Sequence, residues 1–167
     1  LNQAYIIVGF KTVSMKKKES IALEVIRSIL GRGFSGTLFE EIRNKRGLAY
    51  DLGVHNESKI DYGYFAVNTS VKKKSVPLVK KIIHDEIKKI DIISEKELVN
   101  AKEYLKGEFV MHHEENVKLA DFLGLLELVH SAKDFNTYVE MIDKVTRSEV
   151  IAARKKYLRN SCTVILK

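Results

Sequence analysis

Four stretches of this chain carry the β-branched and aromatic density of strands: Gln3 to Val13, Leu48 to Asn56, Tyr62 to Val71 and Ser161 to Lys167. Elsewhere the apolar residues recur at helical spacing. After Ser14, the run Lys16 through Leu30 sets Ile21, Val25, Ile26, Ile29 and Leu30 on one helical face, and Gly31 offers a left-handed cap. Leu38, Phe39, Ile42 and Arg43 continue as a shorter helix that Gly47 closes in the same way. A polar connection with Ser58 and Asp61 joins the two middle strands as a hairpin.

The second half is helical. Pro77 suits a first turn, and Val79, Ile82, Ile83, Glu86, Ile87 and Ile90 form one stripe behind it. Ser94 with Glu97 makes a capping box for a long helix through Val110. The next helix begins at Glu115 or Asn116, and its Leu119, Phe122, Leu123, Leu126 and Val129 are apolar enough to predict extensive burial. Tyr138, Met141 and Ile142 indicate a short helix, and Thr146 with Glu149 caps a last one through Tyr157. Few strands and many helices in blocks define an α+β class, with a mainly antiparallel sheet and helices packed on one face.

At 167 residues, with one proline and short connections, the chain is expected to form a single domain over 1–167. No apolar run has the length of a membrane span. Cys162 is the only cysteine, which excludes an internal disulfide and a cysteine zinc cluster, and its apolar surroundings predict a buried thiol. The net charge of +7 raises a nucleic-acid partner, but Lys16–Lys18, Lys72–Lys74 and Lys88–Lys89 are scattered and no recognition motif accompanies them. They read as solvated surface. The chain starts at Leu1, without a targeting pattern, and reads as an excised or processed piece. A cytoplasmic location is the expectation.

The segment from Leu30 to Tyr50 is the most specific. It joins Gly31-Arg32-Gly33-Phe34-Ser35-Gly36 to Leu38-Phe39-Glu40-Glu41-Ile42-Arg43 and then to Arg46-Gly47-Leu48-Ala49-Tyr50. The glycines follow a helix rather than a strand and lack the Lys-Ser/Thr of a phosphate loop, so they read as a tight turn. This segment resembles the C-terminal repeat of the pitrilysin/insulinase-type zinc metallopeptidases, a family that includes the mitochondrial processing peptidases. Arg32, Gly36 and Thr37 depart from the family's Gly-Gly-Gly-Met-Ser-Ser-Arg-Leu turn, while the flanking runs match closely. Beyond this segment the resemblance extends in element order and length over nearly the whole chain.

The resemblance implies a C-terminal domain that binds extended or unfolded peptide and completes a catalytic cavity with a zinc-bearing domain. In the family an arginine and a tyrosine at the positions of Arg43 and Tyr50 contact the substrate carbonyl, a role suited to stabilising an oxyanion. Zinc is expected in the missing N-terminal domain or a partner, and no metal-binding or cofactor-binding residue is assigned here. Taken without the resemblance, Arg43 is a surface helix residue and Tyr50 a half-buried strand aromatic.

The nearest thing to a zinc motif is His112-His113-Glu114-Glu115, where Asn116 stands in place of the closing histidine of His-x-x-Glu-His. Read as His-Glu-x-x-His, His113-Glu114 is closed by Val117. Both histidines are expected to be exposed at a helix junction. His55, His84 and His130 lack ligand spacing, and no nucleophile elbow or Cys-His pairing is recognisable. Two other functions remain open: a non-catalytic scaffold or assembly subunit of the same family, and a basic nucleic-acid-binding module. Neither a nucleic-acid partner nor a membrane is expected under the peptidase reading.

Overall fold

The computed structural model describes residues 3–166. Within them the chain runs β1 (Gln3–Thr12), α1 (Glu19–Gly31), α2 (Thr37–Phe39), β2 (Ala49–Ser58), β3 (Gly63–Lys72), α3 (Val76–Lys89), α4 (Glu95–His112), α5 (Asn116–Val129), α6 (Tyr138–Lys144), α7 (Arg147–Tyr157) and β4 (Cys162–Leu166). The strands form one sheet in the order β2-β3-β1-β4, every pair antiparallel. This is the expected α+β architecture.

Side-chain alternation makes the sheet two-faced. Ala4, Ile6, Val8 and Phe10 of β1 and Phe65, Val67 and Val71 of β3 are buried, together with Leu23, Ile26 and Leu30 of α1 and Ile83 and Ile87 of α3. Each fully buried Ile or Leu contributes roughly 1.5–3 kcal/mol. The opposite face, with Tyr5, Ile7, Tyr64, Val164 and Leu166, is exposed. Helices therefore cover one side only, as the strand alternation requires.

Both predicted capping boxes are present. The Ser94 Oγ accepts from the Glu97 N–H at 3.2 Å while Glu97 accepts from the Ser94 N–H at 3.3 Å, and Thr146 with Glu149 repeats the arrangement. α4 then lies on α1, where the buried Ser28 hydroxyl donates to the Ala101 carbonyl at 2.8 Å. Pro77 occupies the first turn of α3, and Glu86 is buried within the α3 stripe.

Four expectations about α1, Gly31, α5 and Cys162 need correction. α1 starts at Glu19 because the chain from Ser14 to Lys18 is spent in turns, with the Lys17 N–H bonded to the Ser14 carbonyl. Gly31 is not a left-handed cap: it is the last residue of α1, and the positive φ falls at Gly33 (+42°). What Gly31 provides is closeness, since a Cβ there would lie 2.6 Å from the Val54 Cβ of β2. Helix α5 is not extensively buried. Of the five residues named, Leu126 is buried and Leu119, Phe122, Leu123 and Val129 are half-buried, because the helix is apolar on several sides and the described residues cover one. Cys162 is exposed, since it sits on edge strand β4 opposite Gly9, on the open face of the sheet.

Candidate functional site

The site is built where the helical layer hands over to β2. After α1, the turn Gly33–Ser35 is closed by the Ser35 N–H on the Arg32 carbonyl at 3.0 Å and pushes Phe34 outward, 74% exposed. The fully buried Leu38 and Ile42 anchor the helical segment beyond this turn. Here α2 widens into a π-helical turn, Glu40–Asn44, in which the Lys45 N–H reaches the Glu40 carbonyl at 2.9 Å. Such one-turn π segments shift the side chains beyond them around the helix axis and are frequent at functional sites.

Gly47, with φ +57°, then ends the helical segment as predicted, its N–H on the Arg43 carbonyl and that of Leu48 on the Ile42 carbonyl, both at 2.9 Å. In β2 the register slips immediately. Ala49 faces Val71 and Leu52 faces Thr69, so β2 carries one residue more than β3 over this interval. The Thr69 hydroxyl donates to the Asp51 carbonyl at 2.6 Å across the irregularity. A bulge of this kind re-aims side chains, and Tyr50 emerges 82% exposed rather than half-buried.

The π turn and the bulge bring the two predicted residues together. The Arg43 guanidinium carbon lies 4.6 Å from the Tyr50 ring centre, 4.9 Å from that of Phe39 and 5.5 Å from that of Phe34. Phe34 and Phe39 meet edge to face at 5.2 Å. Three aromatic rings thus hold one cation by its π-attraction, worth about 0.5–1 kcal/mol per exposed contact. Among the described residues, neither the Arg43 side chain nor the Tyr50 hydroxyl makes a hydrogen bond or ion pair within the protein.

The neighbouring acids are engaged locally. Glu41 accepts from Lys45 at 2.7 Å and from Arg46, and these hydrogen bonds hold its carboxyl down to about 2. Glu40 accepts from Asn44 at 2.7 Å. Arg43 is left with its N–H donors on no acceptor among the described residues, over the ring of a phenol. Chemically, the pair suits a carbonyl, carboxylate or developing oxyanion.

Phe34 and Phe39 were missed at the sequence level. Phe39 had a signal, since it stands four residues before Arg43 on a helix and i,i+4 side chains meet. Phe34 had a weaker one, a large aromatic inside a glycine-rich turn.

The histidines lie elsewhere. His112 is exposed at the end of α4, but His113 is half-buried rather than exposed: its Nδ1 pairs with the Phe109 carbonyl oxygen at 2.7 Å and its ring packs on Phe109 and Phe122. His55 bonds Asn68, His84 bonds the Lys80 carbonyl and Ser161, and His130 bonds Asp134. Among the described residues no three His, Cys, Asp or Glu side chains are grouped to hold a metal, and no helix is long and apolar enough to cross a membrane.

The family described as "Peptidase M16 inactive domain" matches residues 1–105, and this chain belongs to it. Over 98% of its length the chain is 30% identical to an uncharacterized zinc protease of Streptomyces coelicolor, of which it spans 37%. Over 67% of its length it is 36% identical to a protein of Helicobacter pylori named a non-peptidase homolog, of which it spans 27%. The fold matches that of the peptidase M16 inactive domain from Pseudomonas fluorescens with a TM-score of 0.84 at 23% identity, over 98% of this chain and 40% of that one. The chain thus spans well under half the length of each of these relatives.

Proposed function

We propose that this chain is the peptide-binding, zinc-lacking domain of an M16 endopeptidase, and that it completes a catalytic cavity with a zinc-bearing domain. The observation that carries this reading is the ring-held Arg43 beside Tyr50, with donors unspent inside the protein. In the assembled enzyme Arg43 and Tyr50 would donate hydrogen bonds to the substrate carbonyl and stabilise the oxyanion developing there, and zinc held by the other domain would supply Lewis-acid chemistry. The membership of the chain in an inactive-domain family and its partial coverage of longer zinc-protease relatives support the need for a second domain. Mixing the purified chain with a zinc-loaded candidate half and assaying an unfolded peptide tests it. Peptidase activity that needs both components is the expected result.

A second reading is a non-catalytic assembly subunit of the same family, which the similarity to a non-peptidase homolog favours. A zinc-loaded partner that binds the chain without gaining activity would select it.

A further inference from the structure

A groove of about 640 Å³ opens between α1, α5 and α6, walled by Ile21, Leu125, Val129 and Met141. It is continuous with a second hollow of about 450 Å³ over Ala22, Val145 and Ala152, since both share Lys18, Ile21 and Met141. Met141, 40% exposed, sits where the two meet. Its unbranched thioether side chain is adaptable to the shape of an incoming group.

The charges around the groove are one-sided in effect. Its carboxylates are engaged: Glu24 with Arg27 and Asn56, Asp134 with His130, Glu19 with Lys156, and Glu149 in the α7 capping box. Lys16, Lys17 and Lys18 line the groove at its mouth, exposed, and among the described residues none has a carboxylate within ion-pair distance. The Ser58 hydroxyl, also in the lining, is buried and without a hydrogen-bond partner. Apolar walls with unspent cations at one rim call for an occupant that is apolar on one side and acidic along its border.

The walls also select its backbone. Apart from Ser58 at the tip of β2 and the turn residues Met15 to Lys18, they come almost wholly from helices, whose N–H and C=O groups are used internally. An extended peptide would find no strand edge there to satisfy its backbone, whereas a helix brings its own hydrogen bonds. We propose that this groove receives an amphipathic helix of a partner protein, its apolar stripe seated against Ile21, Met141 and Leu125 and its bordering Asp or Glu residues on Lys16 to Lys18. This site is independent of Arg43 and Tyr50, and its fate does not depend on peptidase activity.

Two labelled designed helical peptides with the same leucine stripe, one bordered by Glu and one by Lys, test it by fluorescence anisotropy against the intact chain. The Glu-bordered peptide is expected to bind roughly tenfold more tightly than the Lys-bordered one and to weaken with salt. The exposed triple variant Lys16→Glu, Lys17→Glu, Lys18→Glu should lose that preference, and Met141→Glu, checked for native circular dichroism, should weaken both peptides. Equal affinity for the two peptides, no binding of either, or binding unaffected by Met141→Glu in a folded variant would overturn the proposal.

Discussion

The Arg43 guanidinium carbon stands 4.6 Å over the ring of Tyr50, although one residue lies on a π-helical turn and the other on a strand beyond Gly47. The contact is through the ring face. The phenol O–H and the guanidinium N–H groups have no hydrogen-bond partner among the described residues.

In an intact or reconstituted enzyme, Arg43→Ala and Tyr50→Phe should each lower kcat more than they raise KM. Loss of one oxyanion donor costs about 3 kcal/mol of transition-state stabilisation. Steady-state kinetics on a defined peptide is the check. An effect on KM alone would make the pair substrate-positioning residues.

The chain by itself should retain no stoichiometric zinc after dialysis and should cleave no peptide. Asn116 and Val117 interrupt both histidine motifs, and the His113 Nδ1 is already paired with the Phe109 carbonyl. Metal analysis of the dialysed protein decides it, and one tightly held zinc per chain would contradict it.

Gly31→Ala should destabilise the fold. The added methyl would meet the Val54 Cβ at 2.6 Å, an atom fixed to the backbone, so α1 and β2 must part. Overpacking of this kind costs roughly 1–3 kcal/mol. A lower denaturation midpoint than wild type is the expected reading.

Acid should loosen the segment carrying Arg43. Hydrogen bonds from Lys45 and Arg46 hold the Glu41 carboxyl at about 2, below its ordinary 4.5. A depressed carboxyl stabilises the fold fully above its unfolded value, and that contribution is lost as pH falls from 4.5 towards 2. Glu41→Gln should therefore narrow the stability difference between pH 6 and pH 2, read from urea midpoints at each pH.

Most of the architecture was legible because it follows from repeating patterns. Runs dense in β-branched and aromatic residues located the four strands, the 3.6-residue stripe located α1 and α3, and Ser94 and Thr146 announced their helices through caps that depend on local spacing. Arg43 and Tyr50 came from resemblance. How they meet did not, because the π turn and the β2 bulge are each a one-residue departure from regular geometry and leave periodicity nearly unchanged. Helix α5 and Cys162 went wrong for a different reason. Apolar neighbours predict burial only where the fold supplies a covering surface, and an edge strand or an outlying helix lacks one on at least one side.

The pairing of Tyr5 with Leu166 makes the first strand wait for the last. Until residues 162–166 are available, β1 can close its ladder with β3 but keeps its other edge, from Tyr5 to Gly9, unpaired. Closing a loop spanning nearly the entire chain delays that contact and slows folding relative to a helical protein of equal size. Until β4 pairs, that edge of β1 is open to other strands.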